Sequence, residues 1–389
     1  MIRYNGYQVI EYGEMVTDRP RMEPYAQALR QSVVPDCIVL DIGAGTGIFS
    51  LLACQLGAGQ VHAIEPDDAI QIARTMFADN GYADRITFHQ ALSTEVTLPV
   101  RADVIISDLR GVLPLLCHHV SSIIDARKRL LAPGGCLIPQ QDRLWGSLVE
   151  APDLYRPYAE PWLGNDYDLD MRAGQRFVVN SWRRAWPAVK PEQLLAPAQN
   201  WATLDYATVE APDVSGTLSW NMDQAGTAHG LAVWFDTILA ENVGFSNAPG
   251  QPQLIYGQAF FPFSEPVTLI EGDRVTIKLQ ANLVADDYIW RWETRVVSQN
   301  DPDRCKAEFR QSTFFSQPVS PTVVRKKADN HTPSLKEEGK ADRLVLDLMD
   351  GKTPLSEIAH RLAAQFPGQF PDWQHALAHV GHLSQKYSL

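Results

Sequence analysis

Val39-Leu40-Asp41-Ile42-Gly43-Ala44-Gly45-Thr46-Gly47, followed by Val61-His62-Ala63-Ile64-Glu65, decides the fold. Ile38 to Ile42 is an apolar run of the kind that forms a buried parallel strand. Three alternating glycines then turn the chain and let backbone approach a ligand. A helix follows at once through Phe49, Leu51, Leu52 and Cys54, and Gly57 and Gly59 stop it. A second apolar strand ends in an acid, Glu65, one βα unit later, where it can meet ribose hydroxyls. This is the layout of a nucleotide-binding half of a doubly wound sheet.

Spacing narrows the nucleotide. A dinucleotide fingerprint has its third glycine at the sixth position, which here is Ile48. No Lys-Ser/Thr pair completes a P-loop. Asp41, two residues before the first glycine, can meet the cationic amino-acid end of S-adenosylmethionine (SAM). The Asp-x-Gly-x-Gly-x-Gly pattern resembles that of class I SAM-dependent methyltransferases. A glycine turn without a ligand is the competing reading, and strand, turn, helix and distal acid together speak against it.

The chain has 389 residues, too many for one core, so two or three domains are expected. Hydrophobic content of 45% and charged content of 21% belong to an ordinary soluble globular protein. A net charge of −12 argues against nucleic acid as the main partner. The five cysteines (37, 54, 117, 136 and 305) are scattered and lack CxxC spacing, which fits reduced thiols in a cytoplasm. With no signal peptide and no 18-residue apolar run, neither secretion nor a membrane partner is expected.

Residues 1–35 read as a helical lead-in containing Tyr4, Tyr7 and Tyr12. Residues 36–140 alternate strands with helices, which predicts a Rossmann-like parallel sheet covered on both faces. Pro133-Gly134-Gly135 reads as a turn before a strand at Cys136-Leu137-Ile138. From 141 to 316 short runs rich in Trp, Tyr, Val and Thr predict an antiparallel β-barrel. An inserted, partly helical arm at 154–182 interrupts that pattern. Residues 317–340 form a polar linker. Residues 341–389 read as three small helices, with Thr353 capping the second and Leu355, Ile358 and Leu362 facing inward. His375, His379 and His382 share a face of the last helix opposite Trp373, Leu377 and Val380, and read as solvated; no metal site is expected.

Residues 1–316 resemble protein arginine methyltransferases. Glu14-Met15-Val16-Thr17-Asp18 with Arg21 and Tyr25 is similar to the family's N-terminal helix, which implies that Arg21 binds the SAM carboxylate. Asp41, Gly43, Gly45 and Gly47 match the first motif, and Glu65 matches the ribose-binding acid. Ser93 and Thr94 fall in the segment that lines the adenine. Pro191-x-Gln193-Leu194 and His229 to Asp236 resemble barrel segments, and the arm falls where the family carries its dimerisation arm, which implies a homodimer.

The chain departs from this pattern at the acceptor. The family clamps a guanidinium with two glutamates on the loop after the fourth strand. Asp108 stands for the first, one methylene shorter, and no acid occurs from Leu109 to Ser122, so the second is missing near Cys117-His118. The Thr-His-Trp segment falls at Leu254-Ile255-Tyr256, without its histidine. A guanidinium wants bidentate carboxylates, and Arg110 beside Asp108 opposes a cation.

The last fifty residues resemble winged-helix-like peptide-recognition domains of PqqD type, through Leu346-Asp347-Leu348-Met349-Asp350-Gly351 and Glu357-Ile358-Ala359-x-x-Leu362. The expected function is therefore N-methylation of a peptide side-chain nitrogen, a carboxamide of a leader-bearing ribosomal precursor peptide. Asp108 would orient the acceptor nitrogen and Arg110 would polarise the acceptor oxygen. SAM is the expected cofactor and S-adenosylhomocysteine the product. The alternatives are protein arginine methylation, with a carboxylate supplied from elsewhere, and a non-catalytic SAM- or peptide-binding scaffold.

Overall fold

The chain begins with two helices whose sequence faces are unequal. The computed structural model describes residues 7–164, 167–299 and 301–388. The expectations resting on Tyr4, on positions 165 and 166 of the arm and on the final residue lie outside them. Helix α1 (Val9–Thr17) buries no residue, whereas α2 (Arg19–Ser32) buries Arg21, Tyr25, Ala28 and Leu29. Tyr25 stacks on Phe49 with ring centroids 4.5 Å apart, which seats α2 against the next domain.

That domain alternates as expected: β1 (Ile38–Ile42), α3 (Ile48–Gln55), β2 (Gln60–Ile64), α4 (Ile70–Asp79), β3 (Ile86–His89), β4 (Ala102–Ser107), α5 (His119–Arg129) and β5 (Leu131–Ile138). The five strands are parallel in the order β3-β2-β1-β4-β5. The order reverses between β1 and β4, the switch point beyond whose carboxyl ends such sheets bind ligands. Register pairs Ile42 with Ser107, which puts the glycine turn beside the loop carrying Asp108. The turn expected at Pro133-Gly134-Gly135 is absorbed into β5 as an irregularity, with Gly134 at φ +80°.

Two antiparallel sheets follow. One orders β7 (Arg183–Arg184), β12 (Ala259–Leu269), β10 (Gly226–Ala240), β6 (Gln141–Val149) and β8 (Gln199–Asp205), with β11 (Val243–Ser246) paired to β10. The other orders β15 (Asp301–Ser312), β14 (Asp287–Ser298), β13 (Arg274–Val284) and β9 (Val214–Asn221). Their inner faces share one barrel-like core containing Leu231, Phe261, Leu279, Trp290 and Trp292. The same core runs on to Leu40, Ile42 and Ile64 of the parallel sheet, so the two domains meet through packed side chains. The arm contains α6 (Pro152–Ala159) and α7 (Arg172–Val179) and carries exposed Leu163, Leu169 and Phe177.

Residues 319–389 form a separate unit whose described residues make four helices, α8 (Pro321–Lys326), α9 (Glu337–Asp347), α10 (Leu355–Gln365) and α11 (Trp373–Tyr387). Their own core holds Ala341, Val345, Ile358, Leu362, Ala376, Val380 and Leu383. A winged helix needs a β-hairpin beside its helices, and no strand occurs among the described residues here, which argues against the PqqD-type expectation. Thr353 does not cap α10; Asp350 Oδ1 instead accepts from Lys352 N and Thr353 N, closing the preceding turn. Leu355 is 40% exposed rather than inward and takes no part in that core. His379 Nε2 lies 2.7 Å from Asp342 Oδ1, and no group of three or more metal-ligating side chains occurs among the described residues.

Candidate active site

The glycine turn is fixed by β2 before any ligand arrives. Gly43 N and Ala44 N donate to Ile64 O at 2.8 and 3.0 Å. Gly43 and Gly45 lie at φ +74° and +53°, a region that residues with a Cβ rarely enter. A Cβ on Gly45 would stand 2.5 Å from the Tyr12 ring, so α1 lies over the turn. Glu65 Oε2 accepts from Gly45 N and Oε1 from Asp67 N, both at 2.9 Å. Asp41 is buried; its Oδ2 accepts from Ser50 N (3.1 Å) and Ser50 Oγ (2.7 Å), and its Oδ1 is left without a partner. Burial pushes the Asp41 carboxyl up to about 7, against the partly offsetting Ser50 bonds. A buried carboxylate with one open oxygen wants a cation. The ammonium of SAM suits it, and the adjacent bare backbone and Glu65 suit the rest of that ligand.

Ser93 and Thr94 form a short 3₁₀ turn with Glu95. Ser93 is buried and its carbonyl accepts from Arg129 Nη2 at 2.9 Å, while Thr94 is exposed. Arg21 is held away from solvent. Its Nε and Nη2 reach Asp108 Oδ2 at 2.7 and 2.6 Å, and its Nη1 donates to Met15 O at 3.1 Å.

Asp108 follows the last residue of β4 and is saturated. Besides Arg21, Tyr256 OH donates to Oδ2 at 2.5 Å and Arg110 Nη1 donates to Oδ1 at 3.2 Å. Burial alone would raise its pKa, but the charges of Arg21 and Arg110 and the Tyr256 bond outweigh it and hold the carboxyl below the usual range. Asp108 is therefore ionised and a poor base.

Arg110 is completely enclosed. Nε and Nη2 fork onto Asp142 Oδ2 and Oδ1 at 2.9 and 3.2 Å, Nη2 donates to Thr237 Oγ1 at 2.8 Å, and Nη1 donates to Tyr25 OH at 2.7 Å. Tyr206 OH donates to Asp142 Oδ2 at 2.6 Å and lies 2.9 Å from His119 Nε2. Since Tyr206 gives its proton to Asp142, His119 Nε2 is the donor to Tyr206, and His119 Nδ1 is buried without a partner. Burial and then Arg110 push His119 down to about 4, so it stays neutral at pH 7.

Apart from Ser93 and Thr94, the residues expected from sequence thus fall into two groups. Asp41, Gly43, Gly45, Gly47 and Glu65 gather at the turn, whereas Arg21, Asp108 and Arg110 form one ion-paired cluster on the neighbouring strand end. Sequence reasoning missed Asp142, Tyr206 and Thr237. Asp142 carried a signal: it lies in phase with Leu144 and Leu148, on the core-facing side of β6. The vanished Thr-His-Trp segment still acts here. Ile255 N donates to Asp18 Oδ2 at 2.8 Å, and Tyr256 reaches Asp108.

Comparison with known proteins adds the family context. A profile described as the arginine methyltransferase oligomerization subdomain matches residues 145–298, and one described as ribosomal protein L11 methyltransferase matches residues 25–140. Human protein arginine N-methyltransferase 2 is 30% identical over 288 residues, covering 70% of this chain and 66% of that protein. Protein arginine N-methyltransferase 1 of Oryza sativa subsp. indica is 29% identical over 271 residues, covering 68% and 69%. Among solved structures, the Trypanosoma brucei PRMT1 enzyme–prozyme heterotetrameric complex with AdoHcy superposes with a TM-score of 0.69 at 21% identity, over 80% of this chain and 98% of that one. Arabidopsis thaliana protein arginine methyltransferase 10, in an open conformation, gives 0.66 at 22%, over 78% and 97%.

The chain is a SAM-dependent methyltransferase, an enzyme related to the protein arginine methyltransferases, and it uses SAM and releases S-adenosylhomocysteine. Two expectations are corrected. The likeness carried by the two profiles ends at residue 298, and with the all-helical end of the chain it overturns the PqqD-type domain. The carboxamide acceptor on a leader-bearing precursor peptide gives way to the arginine-methyltransferase relationship. Arg110 also has no free N–H with which to polarise an acceptor oxygen, because Asp142, Thr237, Tyr25 and Asp108 take its donors. No helix among the described residues is long and apolar enough to cross a membrane.

Proposed function

We propose that this enzyme methylates arginine side-chain nitrogens of protein or peptide substrates, as a homodimer joined through the 154–182 arm. The observation that carries the acceptor reading is Asp108, a buried ionised carboxylate one strand across from the glycine turn. Asp41, the glycine backbone and Glu65 would hold SAM, and Ser93 and Thr94 lie where the adenine edge is expected. SAM, when bound, supplies a methyl group on a sulfonium that leaves readily. The chain's own task is to hold the acceptor nitrogen in line and keep its lone pair directed. Asp108 suits this, since an anion held below the usual carboxylate range attracts a guanidinium without taking its proton. Arg21 can serve either Asp108 or the cofactor carboxylate that the family resemblance assigns to it. On the latter, it would leave Asp108 Oδ2 open to an acceptor N–H.

The match to an oligomerization subdomain and the exposed apolar side chains of the arm support the dimer. Five free thiols suit a reducing cytoplasm. The test is a basic peptide series in which one central arginine is replaced by lysine or citrulline. Label from methyl-tritiated SAM should enter the arginine peptide alone. Equal labelling of the lysine peptide, or labelling of the citrulline peptide, would refute arginine as acceptor.

A further inference from the structure

Asp108 and Asp142 come from different domains, the β4 loop and barrel strand β6, yet both contact one guanidinium. With the hydroxyls of Thr237 on β10 and Tyr25 on α2 they form a fully enclosed ring of acceptors around Arg110. Ring faces complete the enclosure, with the Arg110 guanidinium carbon 5.6 Å from the Phe235 centroid and 5.8 Å from that of Phe245. The fork of Nε and Nη2 onto both oxygens of Asp142 fits a planar guanidinium and not the compact ammonium of a lysine. Two anions are balanced there by two cations, Arg21 and Arg110.

We propose that the Asp108–Asp142–Thr237–Tyr25 enclosure is a built guanidinium-binding site whose permanent occupant is the chain's own Arg110. The second carboxylate that the β4 loop lacks is thus present, supplied by the barrel, but it serves an internal arginine. Arg110 thereby restricts an incoming acceptor to the Arg21 side of Asp108, where Oδ2 faces Arg21 and Tyr256, and keeps it out of the enclosure. This deepens the arginine reading of the same site and rests on it for that last step only; the enclosure itself stands on geometry.

The test uses the full-length chain and small probes. Arg110→Ala empties the ring, and the variant should melt below the wild type. Ethylguanidinium at low millimolar concentration should restore its melting temperature, with an apparent affinity at least about tenfold above that of ethylammonium. The wild type should not respond. Arg110→Ala combined with Asp142→Asn, which removes the fork's anion, should lose the selectivity. If Arg110→Ala does not fold, Arg110→Gln keeps a donor on Asp142 and carries the same comparison with the free guanidinium and ammonium ions. Equal responses to both cations, or a wild type that responds as the variant does, would overturn the proposal. Selective rescue by a protein that labels no arginine peptide would leave the enclosure standing and sink the acceptor reading; label in arginine without selective rescue would do the reverse.

Discussion

Asp41 is the residue whose chemistry is most exposed to pH. Its folded carboxyl sits at about 7, raised by burial above its unfolded value. The native state without cofactor therefore favours the protonated form, and this group's contribution to stability is lost as pH rises from about 4 to about 7. Binding a cationic ammonium reverses that preference. SAM affinity measured by calorimetry should fall about tenfold per unit as pH drops below 7, and level off above it. Asp41→Asn should flatten that profile; a wild-type profile flat from pH 6 to 8 would refute the assignment. Asp108→Asn should leave SAM affinity nearly unchanged while kcat/KM for an arginine peptide falls about ten- to a hundredfold, the loss of charge-assisted bonds to the acceptor. Melting curves of the variant guard against a collapsed cluster, since breaking a buried pair costs about 3–5 kcal/mol. At this scale the glycines and acids of the turn were legible because local spacing fixes them. Most partners of Arg21 and Arg110 were not, because those bonds span elements far apart in sequence, such as Arg110 to Thr237 and Arg21 to Tyr256.

Elements with a clear period were the most legible. The parallel strands announced themselves as apolar runs, and the barrel strands as short runs rich in Trp, Tyr, Val and Thr, of which β13 and β14 alternate buried and exposed positions. Asp142 stayed hidden because an acid on the inward side of β6 makes sense only once the opposing loop brings Arg110. Pro133-Gly134-Gly135 was read as a turn before a strand, whereas the strand already starts at Leu131 and these residues bulge out of it between the pairs Leu131–Ala102 and Cys136–Val104. In the proposed reading the arm is the element whose function depends on a second copy. Leu163 and Phe177 are 51% and 40% exposed, apolar side chains that the proposed partner copy would cover. Leu163→Glu with Phe177→Glu should give a monomeric mass in light scattering at micromolar concentration, with the barrel still folded by circular dichroism. A variant that stays dimeric would place the interface elsewhere.

The whole molecule divides at residue 318 into two units with separate cores. In the first, one shared cluster joins the parallel sheet to both barrel sheets, with two further clusters beside it, so the sheet and barrel domains should be thermally coupled. Scanning calorimetry of the full chain should resolve a second, smaller transition for residues 319–389, absent from a chain ending at 318. A single transition unchanged by that truncation would deny the second unit its independence. In the proposed function the glycine turn, Asp108 and the barrel form one enzyme that transfers methyl groups to arginine. Its most direct test is tandem mass spectrometry of a basic peptide incubated with the purified chain and trideuteromethyl SAM. The heavy methyl should appear on an arginine side chain, and Gly45→Val, whose Cβ would collide with Tyr12 over the turn, should abolish it. A heavy methyl on any other residue type, or undiminished transfer by the Gly45 variant, would contradict the account.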